Sequence, residues 1–76
     1  RKIGEIPLVE VINATAFVLR GQVSMPAEDL MRETAKLFGF QRTGASIQAR
    51  ISEAIERLVE DGQIRRESDR LVYMEP

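Results

Sequence analysis

The sequence predicts an α+β domain of the winged helix-turn-helix class: three helices with a small three-stranded antiparallel sheet. Three observations predict it. Two apolar helical periodicities, over residues 26–38 and 45–60, flank a tight turn bounded by Gly39 and Gly44. An alternating segment after Gly62 reads as a two-stranded hairpin. A short extended stretch between Gly21 and Pro26 offers the third strand, without which a lone hairpin is marginal.

Residues 1–6 carry a glycine and mixed charge and read as a frayed lead-in, so the domain proper is expected over 7–76. Pro7 suits the first turn of a helix, where its missing N–H costs nothing. The run from Leu8 to Arg20 follows. Leu8, Ile12, Ala16 and Leu19 share a face, and Val9, Val11, Phe17 and Val18 widen it, which predicts a helix buried on more than one side. Gly21 is the expected C-terminal cap. Residues 22–25 are too short for a helix and are read as the short strand. Ser24 is placed as the cap of a second helix from Pro26 to Phe38, with Glu28 and Asp29 near its positive end. Leu30, Met31, Thr34, Ala35, Leu37 and Phe38 form its predicted buried face, and Gly39 stops it.

The connector Gly39–Gly44 holds Phe40 as an aromatic plug. The third helix, residues 45–60, is the clearest periodic signal: Ile47, Ile51, Ala54, Ile55, Leu58 and Val59 recur at helical spacing. Thr43 or the Gly44 backbone is its expected cap, and Asp61-Gly62 ends it. Ile64 turns inward and Arg65 outward, Glu67–Arg70 form a turn, and Leu71–Met74 return as the last strand. The second and third helices then form the helix-turn-helix, and the hairpin forms the wing.

Composition narrows the function classes. The chain has 76 residues, of which 43% are hydrophobic, enough for one core in a single domain. Cysteine and histidine are both absent. That removes thiolate and imidazole ligands and the usual nucleophile–base pairs, so neither a metal nor a cofactor is expected. The carboxylates fall on predicted helix surfaces. Glu53, Arg57 and Asp61 follow at four-residue intervals, which is the spacing of a solvated face with ion pairs. Glycines occur where helices stop, and no phosphate-cradling loop is present. Catalysis within this segment is not expected. Nor does any apolar run approach the ~20 residues of a bilayer span; with no visible signal peptide, a cytoplasmic location is expected.

The charges number 11 basic and 12 acidic, so any nucleic-acid contact must come from local clustering. Two clusters qualify. Arg42, Thr43, Ser46, Gln48 and Arg50 stand at the start of the third helix, the end that enters a major groove in winged helices. Arg65, Arg66 and Arg70 stand in the wing. Against them, Ala49, Glu53, Glu56 and Glu60 lie opposite the isoleucine stripe, so the outward face of that helix turns acidic after two turns. The leading expectation is a non-catalytic accessory domain that helps engage double-stranded DNA through these residues. The other expectation is a protein-interaction domain, for which an apolar patch at Val11, Val18 or Met25 would be the mark.

Three segments carry a family resemblance: Ile6-Pro7-Leu8-Val9-Glu10-Val11; Gly39-Phe40-Gln41-Arg42-Thr43-Gly44 with Ile47 after it; and Leu58–Asp61 before Gly62. Together, over Ile3 to Met74, they resemble an uncharacterised bacterial winged-helix-like domain family. That family stands at the C-terminal end of large superfamily-one helicase-related proteins of the DNA-repair and defence type. The Gly-Phe-x-Arg-Thr-Gly turn is the most specific part. The resemblance implies a helicase-like motor region upstream in the same polypeptide, and for this segment an accessory role only. It implies Arg42, Thr43 and Gly44 as the shared turn.

Overall fold

The computed structural model describes residues 2–75. A 3-10 turn, Ile3–Glu5, precedes helix α1 (Leu8–Gln22), strand β1 (Ser24–Pro26) and helix α2 (Ala27–Leu37). Helix α3 (Ala45–Glu60) and strands β2 (Ile64–Glu67) and β3 (Arg70–Tyr73) complete the chain. Three helices and a three-stranded antiparallel sheet are the α+β architecture that the periodicities predict, and the arrangement is compatible with a winged helix.

Strand β3 is central. It pairs with β1, where Met25 faces Leu71, and with β2, where Ile64 faces Tyr73 and Glu67 faces Arg70. Ser68 turns the hairpin at a φ of 59°. Ile64 and Leu71 are buried, while Arg65, Arg66 and Glu67 point to solvent, so β2 is a charged edge strand.

The helix ends show where local chemistry decided. Gly39 ends α2 at a φ of 87°, its N–H bonding to the Lys36 carbonyl and the Phe40 N–H to the Ala35 carbonyl. Gly62 ends α3 in the same way, with bonds from Gly62 to Val59 and from Gln63 to Leu58. Both are Schellman closures, in which glycine takes the left-handed position without a Cβ clash.

Helix α1 ends differently from the expectation. Gly21 is helical, and the helix runs through Gln22. Val23 closes it at a φ of 69°, a conformation unfavourable for a β-branched residue. The sheet holds it there: the Tyr73 N–H donates to the Val23 carbonyl at 2.8 Å. The strand consequently starts at Ser24, later than the spacing suggests. Ser24 does not cap α2 either, since Pro26 takes that position without a side-chain bond. The Ser24 hydroxyl instead accepts from Arg70 Nε at 3.0 Å.

The core lies where α1, α2, α3 and the sheet converge, around Val11, Leu19, Leu30, Ile51, Ile55, Leu58, Ile64 and Leu71. Two corrections concern its extent. The first six residues are not frayed at Ile3 and Ile6, which are both buried in this core, and the 3-10 turn packs on α3. Helix α1 is also buried on one side only. Val11, Thr15 and Leu19 face inward, whereas Val9 and Phe17 are 63% and 69% exposed. Burial thus favours the residues facing α2 and α3 rather than the whole apolar arc. Leu37, expected inside, is exposed at the last turn of α2. Phe38, Phe40 and Tyr73 do pack against the core, half-buried.

Candidate functional site

Strand β2, which carries Arg65 and Arg66, neighbours α3, whose first turns carry Ser46, Gln48 and Arg50. Arg66 of β2 pairs with Glu56 of α3, tying the hairpin to the helix. The hairpin therefore stands beside α3.

The individual side chains are less free than their spacing suggests. Arg50 is half-buried on the flank of α3. Its Nη2 donates to the Ile6 carbonyl at 3.2 Å, and its Nη1 to Glu53 at 3.4 Å. It clips the N-terminal segment to α3. Gln48 folds back, donating to the Thr43 carbonyl at 2.8 Å, and so helps close the start of the helix where no side chain caps it. Arg65 pairs with Glu67 on its own strand and reaches Met74. Arg70 crosses to β1 and holds both the hydroxyl and the carbonyl of Ser24, the latter at 3.1 Å.

Arg42, half-buried Thr43 and Ser46 remain at the helix entrance. Arg42 and Ser46 are exposed, and Arg42 forms no hydrogen bond or ion pair among the described residues. Four of the five arginines in the two clusters are thus engaged within the chain.

The outward pole of α3 carries Ala49, Glu53, Glu56 and Glu60, all exposed. The expected ladder from Glu53 through Arg57 to Asp61 does not form. Glu53 is taken by Arg50 and Glu56 by Arg66, which leaves Arg57 without an ion pair among the described residues. Local spacing alone could not show this competition, since Ile6, Ser24 and Glu56 reach their arginines only through the fold. Exposed pairs of this kind contribute roughly 0–1 kcal/mol each, so they compete only weakly with a bound phosphate or carboxylate.

The apolar marks of a docking surface also lie elsewhere than expected. Val11 and Met25 are buried and Val18 is half-buried. The exposed large apolar residues are Val9, Phe17, Val23 and Leu37. No group of three or more acidic side chains that could hold a metal ion occurs among the described residues. No described helix is long and apolar enough to cross a membrane.

No family model matches the chain, and neither a curated protein nor a solved structure matches it.

Proposed function

We propose that this chain is a non-catalytic, winged-helix accessory domain that docks on protein through the outward face of α3 and the adjoining wing. One observation carries the reading. The helix that would enter a DNA groove presents Glu53, Glu56 and Glu60 outward, Glu60 without an ion pair among the described residues and Glu53 and Glu56 held only in weak exposed pairs. A phosphate-lined groove repels that stripe, whereas a basic protein surface matches it. The resemblance to the helicase-associated family makes the upstream region of the same polypeptide the partner of choice.

The test is binding in trans. The domain titrated with its upstream region should bind, and Glu53→Lys with Glu56→Lys should weaken binding by at least about tenfold, the scale of a lost charge-pair set. The double variant also takes the ion partners from Arg50 and Arg66, so its melting temperature should fall by several degrees, and binding is compared below that transition. Equal affinities for the two proteins would overturn the reading.

A second reading retains DNA, on the observation that Arg42 is unpaired beside Thr43 and Ser46 at the start of α3. In that reading the helix touches a duplex with its entrance alone, and Arg65, Arg66 and Arg70 exchange their internal partners for backbone phosphates. Saturable duplex binding tighter than about 1 µM, beyond the ordinary non-specific range, would favour it.

A further inference from the structure

Helix α3 shares its outward face with a cleft at the N-terminal end of the acidic stripe. Ile3 and Gly4 of the 3-10 turn, Phe40 of the connector, and Ile47, Ala49 and Glu53 of α3 line it, and its volume is about 760 Å³. Its charged lining balances, with Lys2 and Arg50 against Glu5 and Glu53, so the apolar floor suits an uncharged group.

Ala49 and Glu53 belong to the cleft and to the stripe alike. The row continues through Glu56 to Glu60, and its successive steps rise by about 6.0, 4.5 and 6.0 Å. A second helix laid alongside repeats those intervals, because its rise per residue is the same. A strand does not, since it advances about 6.6 Å between residues of one face. The carboxylates of the row are not equivalent. Glu60 has no ion pair among the described residues, and Glu53 holds Arg50 only at 3.4 Å. Glu56 is taken by Arg66, whose guanidinium would repel another base there.

We propose that the partner on α3 is an amphipathic helix with an apolar side chain seated in this cleft. The same face of that helix sets lysine or arginine against Glu53 and Glu60, and an uncharged residue opposite Glu56. Arg50 keeps the Ile6 carbonyl when Glu53 turns to the partner. The inference rests on the α3 docking reading and adds to it an apolar anchor. Exposed ion pairs alone hold a complex weakly, and a side chain buried in a cleft supplies most of the affinity of such interfaces.

Nuclear magnetic resonance titration of the intact chain with two helical peptides of about 16 residues tests this. One carries phenylalanine, then lysine, alanine and lysine four, seven and eleven residues later; the other carries the same row reversed. One of the two should bind saturably below about 1 mM and shift the signals of Gly4, Phe40 and Ala49. Serine in place of the phenylalanine should weaken binding at least about tenfold, and glutamate in place of both lysines should abolish it. In the protein, Gly4→Phe fills the cleft through a position where a Cβ meets nothing within 4 Å. Ala49→Gln sets a polar chain over it without changing charge or helix propensity much. Each variant should keep its melting temperature and lose at least about tenfold in affinity. No saturable binding by either peptide, binding indifferent to the phenylalanine or to the lysines, or parent-like binding by both variants would each overturn the proposal. Should the upstream region lose affinity for Glu53→Lys with Glu56→Lys but not for Gly4→Phe, the cleft is no anchor and the α3 reading stands without it.

Discussion

Thr34 is fully buried in α2, and its hydroxyl has no hydrogen-bond partner among the described residues. Thr15, equally buried in α1, donates to the Val11 carbonyl at 2.8 Å. The contrast separates two residues of one type on physical grounds. A buried hydroxyl left unpaired costs about 1–3 kcal/mol, and replacing it by a methyl removes that cost without changing the volume much. Thr34→Val should therefore stabilise the domain by about 1 kcal/mol, raising the melting temperature by roughly 4–8 °C in a chain of this size. Thr15→Val should give no such gain, because it removes a satisfied bond. A thermal melt of the two variants checks the ordering. Arg50 teaches the same lesson from the polar side. Its position at the start of α3 suggests a contact residue, yet its guanidinium sits on the Ile6 carbonyl, 44 residues away in sequence.

At the scale of elements, the N-terminal 3-10 turn is the main departure from the sequence-based reading. Lys2-Ile3-Gly4-Glu5-Ile6 has no periodicity, and five residues are too few to show one. Only the packing of Ile3 and Ile6 reveals that the segment belongs to the core. Burying an isoleucine side chain contributes about 1.5–3 kcal/mol, and truncating one in a packed core costs about 2–5 kcal/mol. Ile6, at 1% exposure, should follow that scale. Ile6→Ala is expected to lower stability by about 2–4 kcal/mol, a large share of the roughly 4–11 kcal/mol available to 76 residues. Urea unfolding measures it, and a shift below 0.5 kcal/mol would show the segment to be a loose lead-in after all. By contrast α3 was legible throughout. Of the six residues its 3.6-residue period selects, Ile51, Ala54, Ile55 and Leu58 are buried, and Ile47 and Val59 are half-buried against the core. The period of α1 was equally visible, but its apolar arc was wider than the surface available to cover it.

At the scale of the whole molecule, the proposed docking on α3 turns on the balance of charge. Net charge is -1, and Glu53, Glu56 and Glu60 are exposed on α3. If that stripe is what deters a duplex, reversing it should create DNA binding. Glu53→Lys, Glu56→Lys and Glu60→Lys each move the net charge by two units, from -1 to +5 in combination. The triple variant should bind duplex DNA at least about tenfold more tightly than the parent at low salt, with affinity falling steeply as salt rises. An unchanged, salt-insensitive titration would show that shape rather than charge excludes DNA.

The order of elements, the stops at Gly39 and Gly62, and the inward face of α3 follow from sequence alone. Each depends on neighbours within one or two turns of chain, where periodicity and backbone sterics act directly. Tertiary structure alone decided that Ile3 and Ile6 join the core, that Phe17 does not, and that Arg50, Arg66 and Arg70 spend their charge on Ile6, Glu56 and Ser24. Those outcomes depend on which surfaces meet after folding. An apolar or charged side chain announces what it can bury or pair with, but its partner is chosen by geometry across the whole chain.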